Sequence, residues 1–342
     1  MASSPAISVF MITDHAFETC ARTLSYLAKQ TIADQIEMII VGPSEAEIEP
    51  DYGVLSAFHS HRILEIGTVA WVGDAAATAI RAARGPYVVY AEEHGFPPPD
   101  WAEILVRTFE HGGYDAVGWG MMPANPGLVA WAHIYGQFGD AVAPLRSGLA
   151  QRMGPHHGAY RTASILELGE DLAEAFGNEG TLYPAFLKMG KTLYLTGETV
   201  TGHTQVSDLA SYLRLEFIGQ RVYAAARIKV EAWSPWKRAV YIAGSPLIPL
   251  VRLYRSIGHI RRTGRVRQLL PQAAVVILLA NIAGAAGEAL GYLVGANAKV
   301  RADRMEIELD RYAFVTGADR AQRHAFATGQ RDVIPGQDNP SA

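Results

Sequence analysis

The sequence Pro86-Tyr87-Val88-Val89-Tyr90-Ala91 is followed at once by Glu92-Glu93-His94-Gly95. A short run of apolar and aromatic residues, rich in valine and tyrosine, is typical of a buried strand. Two carboxylates and an imidazole directly after such a strand are not core residues. Ligands of an open α/β sheet bind at the carboxyl ends of its strands. The stretch therefore predicts a sheet that carries metal or phosphate chemistry at Glu92, Glu93 and His94.

Outward from this strand, apolar runs of strand length alternate with segments of helical period. Strands are predicted at 7–12, 36–41, 62–66, 86–91, 114–120 and 192–196, and helices at 17–30, 74–84 and 100–111. This alternation predicts an α/β fold with a mostly parallel sheet flanked by helices. From residue 207 onward the pattern is helical throughout, so a second, helical region is expected.

Composition limits the classes of protein that fit. The chain has 342 residues, enough for one large α/β domain with an appendage. Its net charge of −4 argues against nucleic acid as a partner. The single cysteine, Cys20, excludes an internal disulfide framework and a cysteine-based zinc site. The first residues lack the pattern of a signal peptide, so a cytoplasmic location is expected.

Several short motifs follow one another in a fixed order. They are the turn Ile12-Thr13-Asp14-His15, an alanine-rich helix at 75–85, the triplet Glu92-Glu93-His94, the helix start Pro97-Pro98-Pro99-Asp100-Trp101, the segment Gly177-Asn178-Glu179, and His203. In this order and spacing they resemble the motifs of family 2 glycosyltransferases, which have the GT-A fold, over about residues 5–230. The triplet stands at the family's Asp-x-Asp position and is most similar to a subset that carries Glu-Asp-His there.

The resemblance implies a nucleotide-sugar donor, direct displacement with inversion, and a divalent cation. It places Glu93, His94 and His203 as metal ligands, and the mixed set of carboxylate and imidazole favours Mn²⁺ over Mg²⁺. Donor-binding residues would be Thr13, Asp14, His15, Asp74, Glu92 and Glu93. Two alternatives remain open: the histidines are hydrogen-bonded loop residues, and Asp14 and Asp74 serve only at helix starts.

The resemblance also assigns a catalytic base and an acceptor side. Glu179 falls on the family's catalytic carboxylate, with Glu170 and Asp171 as rivals; alternatively, it is an ordinary acid in a helical first turn. The glycine-rich segment around His156, His157, Tyr160 and Arg161 resembles the acceptor side, and such a loop suits phosphate or sugar hydroxyls. Alternatively, this segment is a turn whose histidines are solvated.

The sequence departs from the family at two places. Gly42-Pro43 stands where the family has an aspartate that reads the nucleotide base, and Ile12 and His15 replace the turn's proline and asparagine. The sequence therefore leaves open whether the donor nucleotide carries uracil or another base. These departures motivate a second hypothesis, a non-catalytic sugar- or nucleotide-binding descendant that acts as a membrane-bound scaffold. A nucleotidyltransferase ranks third because no glycine-rich basic loop follows the first strand.

The C-terminal third combines apolar and basic segments. Residues 268–287 carry no charge, and six arginines with no acid among them lie at 252–267. This pattern predicts peripheral contact of residues 235–296 with the inner face of the cell membrane, which fits a lipid-linked or saccharide acceptor. The alternative is a helical subdomain packed on the catalytic domain or in a homo-oligomer, with Gly284, Gly287 and Gly291 allowing close approach. The expected division is 1–230, 231–330 and a disordered tail at 331–342.

Overall fold

A computed structural model describes residues 4–154 and 156–321, apart from the side chain of Glu179. The chain forms two compact units. The first runs to Met122 and resumes over Ala143–His203, and the second comprises Pro123–Val142 and the chain from Thr204. The change between them thus lies near residue 204, earlier than the expected 230. The expected tail at 331–342 lies outside the described residues.

The first unit is built on a mixed β-sheet. Its strands are β1 (Ile7–Ile12), β2 (Ile36–Gly42), β3 (Ser60–Glu65), β4 (Tyr87–Tyr90), β5 (Gly95–Phe96), β6 (Ala116–Pro123), β7 (Gly148–Ala150), β8 (Ala159–Arg161) and β9 (Leu193–His203). Their order is β3-β2-β1-β4-β8-β6-β9-β5, with β7 beside β9. The pairs among β3, β2, β1 and β4 are parallel, whereas β8 pairs antiparallel with β4 and β6. The predicted α/β sheet is confirmed, with an antiparallel half that the sequence did not indicate.

Helices surround the sheet and form the second unit. They are α1 (Glu18–Leu27), α2 (Glu45–Ile48), α3 (Tyr52–Leu55), α4 (Val72–Ala82), α5 (Trp101–Gly112), α6 (Leu128–Gln137), α7 (Thr162–Leu166), α8 (Leu172–Gly177), α9 (Glu179–Lys188), α10 (Leu209–Val230), α11 (Pro235–Gly244), α12 (Ile248–Arg262), α13 (Val266–Leu269), α14 (Gln272–Val294) and α15 (Ala298–Leu309). Short 3₁₀ turns lie at Ala33–Gln35, Gly169–Asp171, Ser245–Leu247 and Arg311–Phe314. The second unit contains α6 and α10 to α15.

Strand β1 is apolar on both faces because each face is covered. Every residue of β1 is buried, and Val9 and Met11 belong to a core shared with α1 and α5. On the other face Phe10 stacks on Tyr90 of β4 at 5.1 Å and packs on Phe176 of α8 at 5.9 Å between ring centroids. A strand buried on both faces reads as a continuous apolar run. The parallel pairing of β1 with β4 brings both carboxyl ends to one edge of the sheet.

The second unit is organised by the close packing of α14 on α10. A Cβ atom added at Gly287 would lie 2.0 Å from the carbonyl oxygen of Phe217, and one at Gly291 would lie 2.5 Å from that of Arg221. These glycines therefore let the two helix backbones approach, as the small-residue pattern indicated. Within this unit Glu288 is buried and accepts from Arg252 at 2.8 Å.

Helix α14 is also the one helix among the described residues that is long and apolar enough to cross a membrane. It has 23 residues, a mean hydropathy of 1.9, and half of its apolar window is buried inside the protein. A packed core helix has the same length and composition, so these properties alone decide nothing about a membrane.

Candidate active site

The predicted triplet lies in a turn that joins β4 to β5. The amide of Gly95 donates to the carbonyl of Glu92 at 3.0 Å and closes this turn. Strand β5 then pairs antiparallel with the end of β9, with Gly95 opposite His203. This pairing brings His203 beside Glu92, although the two lie 111 residues apart in the chain.

Glu92, His94 and His203 converge into one buried group. The Nε2 atom of His203 lies 2.9 Å from Oε2 of Glu92, and Nε2 of His94 lies 3.9 Å from its Oε1. One nitrogen or oxygen from each side chain falls within 4.8 Å of the others. The two imidazole rings are 4.5 Å apart at 80°. The arrangement is that of three ligands directed at one point.

The surrounding imidazoles keep Glu92 charged. Burial alone would raise its pKa, but His94 and the hydrogen bonds from His156 and His203 together hold the pKa of Glu92 well below its usual range. His156 takes part through Nδ1, 3.5 Å from Oε1 of Glu92, and its backbone has a φ of 50°. A residue other than glycine held in the left-handed region is strained, and such strain is concentrated at functional sites.

The donor set fits a divalent cation. His94 is fully buried, and among the described residues its Nε2 has no hydrogen-bond partner. Its Nδ1 lies 2.8 Å from Oε1 of Glu93, so a carboxylate fixes the ring from the other side. This is how metal-binding histidines are usually oriented. Glu93 thus contacts His94 from outside the group of three, and Glu92 supplies the carboxylate that the sequence analysis assigned to Glu93.

The cavity beside this group is small. Its volume is about 20 Å³, enough for an ion or a water molecule. Its lining comprises Tyr90, Ala91, Glu92, Gly95, Pro97, Trp101, Trp119, His156, His157, Thr201 and His203. A cavity of this size does not hold a nucleotide, and Glu92, Glu93 and His94 are all buried beside it. The base and sugar of a donor must therefore occupy space outside this cavity.

The predicted acceptor segment divides into two parts. His156 and His157 lie around Glu92 and line the same small cavity, so they surround the group of Glu92, His94 and His203. Tyr160 and Arg161 lie in β8 instead. The Tyr160 ring is buried against Phe186 at 5.8 Å, and the Arg161 guanidinium lies 5.4 Å from the ring centre of Tyr87.

His157 is held neutral. Burial, with a smaller contribution from His203, lowers its pKa to about 3. Its ring lies 4.1 Å from that of Trp119, so the imidazole is part of an aromatic wall of the cavity. A neutral histidine there adds no positive charge that would oppose a cation.

The depressed pKa of His157 predicts acid-sensitive stability. In the unfolded chain its pKa is about 6.5, so below that value the unfolded state binds the extra proton and the folded state does not. Stability is complete above pH 6.5 and is lost as the pH falls towards 3. Lowering the pH from 7.5 to 5 should remove about 2 kcal/mol through this group. Urea unfolding of the wild type and His157→Gln at both pH values measures it: the variant should lose correspondingly less. Equal losses would show that His157 does not cause the dependence.

The predicted donor residues follow the carboxyl end of β1 or begin a helix. Thr13 is buried and its Oγ1 accepts from the amide of His15 at 3.1 Å, while Asp14 and His15 form a partly exposed pair at 3.1 Å. Asp74 is exposed in the first turn of α4. At Gly42 an added Cβ would lie 2.7 Å from the carbonyl oxygen of Thr13, so an aspartate does not fit there without a shift of backbone.

The predicted base cannot be placed by its side chain. Glu179 is the first residue of α9, and its side chain lies outside the part of the chain that the structure describes. Its rivals Glu170 and Asp171 are exposed in the turn Gly169–Asp171. The role of Glu179 stays a prediction.

Comparison with known proteins identifies the family of the N-terminal part of the chain. Residues 8–165 match the family model described as "Glycosyl transferase family 2". This part of the chain is a family 2 glycosyltransferase domain. The match confirms the predicted enzyme class and, with the sheet, the GT-A-like fold. It includes the triplet and ends before Glu179 and His203.

No curated protein matches the sequence. Similar solved structures include S. aureus TarS 1-349, at 12% identity, covering 94% of this chain and 87% of that one, with a TM-score of 0.47. The same protein in complex with UDP matches at 12% identity over 98% and 97%, with a TM-score of 0.46. GalNAc-T7 with UDP, GalNAc and Mn²⁺ matches at 13% identity over 58% and 43%, with a TM-score of 0.47.

Proposed function

We propose that this glycosyltransferase moves a sugar from a nucleotide-sugar donor to a lipid-linked or saccharide acceptor, with inversion and with help from a divalent cation. The observation that carries the proposal is the convergence of Glu92 and His94, which lie in the family 2 match, with His203, which lies beyond it. Glu92 supplies a charged oxygen, and the two histidines supply nitrogens. This set favours Mn²⁺ over Mg²⁺, which prefers oxygen ligands alone.

The reaction builds negative charge on the leaving nucleoside diphosphate as the glycosidic bond breaks. A bound cation would offset that charge. The protein's own side chains prepare the place for it: Glu92 remains ionised among imidazoles, and Glu93 holds the ring of His94. His157 stays neutral beside them. Each of these features favours the binding of a cation at the end of β4.

Inversion needs a base for the acceptor hydroxyl. Our candidate is Glu179, at the start of α9, because it stands on the family's catalytic carboxylate motif. A carboxylate there would accept the hydroxyl proton as the bond to the sugar forms. We place the activity in the cytoplasm at the inner face of the cell membrane, where a lipid-linked acceptor would be reached; oligomerisation is left open.

A donor panel tests the proposal. The full chain is incubated with uridine, guanosine, cytidine and thymidine diphosphate sugars, with Mn²⁺ or with a chelator, and release of nucleoside diphosphate is measured. We expect release from one class of donor, and its loss with the chelator. Glu179→Gln should keep donor affinity and lose turnover, and unchanged turnover would remove Glu179 as the base. If the wild type binds a donor but transfers its sugar to none of the acceptors tried, the non-catalytic scaffold is favoured.

A further inference from the structure

The second unit has an exposed apolar face that sugar transfer does not use. Helix α11, the turn Ser245–Leu247 and helix α12 form it, and no charged residue lies between Arg238 and Arg252. The face comprises Trp236, Val240, Leu247, Leu250, Val251 and Tyr254, each about half exposed or more. Trp236 and Tyr254 are both 77% exposed. Large apolar side chains grouped on a surface mark an interaction site.

The spacing along the chain puts these residues on one side of each helix. Trp236 and Val240 are four apart on α11, and Leu250 and Tyr254 are four apart on α12. Side chains at that spacing share a face of a helix. Helix α12 turns Pro249, Ser256 and Ile260 inward instead. The outward face is therefore apolar without contributing to the core, which indicates an apolar partner.

The segment of chain that forms this face carries only basic charges. Eight basic residues and no acidic residue lie between Glu231 and Glu288. Some are used internally, as Arg252 is by Glu288. Arg255, Arg261 and Arg267 are exposed, and among the described residues they have no hydrogen-bond or ion-pair partner. They are available to an anionic partner.

A cavity of about 400 Å³ opens in the apolar face. Val240, Leu247, Val251 and Arg255 line it, together with the ion pair of half-buried Arg252 and buried Glu288. Its volume falls within the range of about 300–1,000 Å³ that is usual for pockets that bind small ligands. An apolar lining beside the unpaired guanidinium of Arg255 suits a ligand with a hydrocarbon tail and an anionic head.

We propose that this face binds the surface of an anionic lipid bilayer, with the tail of one lipid in the cavity and Arg255, Arg261 and Arg267 on the headgroups. Exposed tryptophan and tyrosine are the side chains that favour the boundary between headgroups and acyl chains. The attachment is peripheral, because α14, whose buried face packs on α10, is part of the unit's own core. The inference rests on the second unit alone and is independent of the reaction proposed above.

Vesicle co-sedimentation of the full chain tests it without any donor or acceptor. Vesicles of phosphatidylcholine alone are compared with vesicles that also contain phosphatidylglycerol. We expect binding to the anionic vesicles that weakens with salt. Leu250→Glu with Tyr254→Glu should abolish it. Arg255→Gln with Arg261→Gln should lower the partition coefficient about 25-fold, since each basic residue contributes about fivefold. The phosphatidylglycerol effect should therefore be much smaller in this second variant, in which Arg267 remains.

Matched controls lie in the first unit. Leu149→Glu replaces an apolar side chain that is 74% exposed, and Arg146→Gln replaces an exposed arginine; neither should change binding. Brominated phosphatidylglycerol should quench wild-type tryptophan fluorescence, and Trp236→Phe should remove most of that quenching. Wild-type binding no stronger than that of Leu250→Glu with Tyr254→Glu overturns the proposal. The proposal is also overturned if the wild type is a dimer that Leu250→Glu with Tyr254→Glu dissociates and the wild type does not bind vesicles. The face would then join two copies of the chain.

Discussion

Replacing Glu92 with glutamine is expected to lower the affinity for Mn²⁺ by more than about 100-fold, because losing only an outer partner of a ligand costs about 10–100-fold. Glu92 is the carboxylate in the group with His94 and His203, and its pKa is held well below its usual range. The amide keeps an oxygen but loses the charge that a dication requires. Turnover should fall at least as far as affinity at limiting metal, since charge on the leaving group is then less well offset.

Glu93→Gln is the matched control, because it changes the neighbouring carboxylate in the same turn. Glu93 contacts His94 through Nδ1 at 2.8 Å, so we expect a loss of about 10-fold, as for an orienting residue. Mn²⁺ binding is measured directly by electron paramagnetic resonance and calorimetry, independently of activity. A larger loss in Glu93→Gln than in Glu92→Gln would restore the assignment made from sequence and refute the geometric one.

The sequence could not decide which of Glu92 and Glu93 lies in the group with His94 and His203. Local pattern located the strand and its polar end, because a continuous apolar run before two acids has few other interpretations. Which acid faces His203 depends on the pairing of Gly95 with His203 across β5 and β9. Strand β5 has only two residues, so its sequence has no periodicity from which the strand could be predicted. A contact over 111 residues of chain is set by tertiary structure and not by spacing.

A strand with a nearly continuous apolar signal was predicted well, and strands of two or three residues were missed. Strand β1 was predicted at 7–12 and lies at Ile7–Ile12, because its residues are buried on both faces and leave an apolar signal that only Ser8 interrupts. Strands β7 and β8 have three residues each and carry too little pattern to be recognised. Strand β9 extends through His203, well beyond the predicted 192–196. Glycines at 197 and 202 hide its second half, since glycine weakens the usual strand signal.

Helix α6 was not predicted, for a related reason. Helix α6 belongs to the second unit although it lies between strands of the first. Its residues are apolar around most of the helix, and short apolar runs do not distinguish a buried helix from a strand. The small-residue stripe of α14 indicated close helix packing only as an alternative to membrane contact, and in the structure Gly287 and Gly291 lie against the backbone of α10.

Gly287→Ala is expected to destabilise the second unit by at least about 1–3 kcal/mol, the usual cost of overpacking. At an exposed helical position the same change would stabilise by up to about 1 kcal/mol, because alanine is the better helix former. At Gly287 the new Cβ would lie 2.0 Å from the carbonyl oxygen and 3.0 Å from the Cα of Phe217. Backbone atoms cannot move aside as a flexible side chain can, so α14 would have to separate from α10.

Gly258→Ala is its counterpart, since Gly258 lies within α12 and an added Cβ there meets no atom of the described residues within 4 Å. This variant should be as stable as the wild type or more stable by up to about 1 kcal/mol. Amide hydrogen exchange of α10 and α14 measures the local stability of the second unit. A global unfolding curve would combine the two units in one transition and hide a change in one of them. We expect faster exchange in both helices for Gly287→Ala alone. Unchanged exchange would mean that glycine at this position is not required by the contact between α10 and α14, and that the close approach of the two helices has another cause.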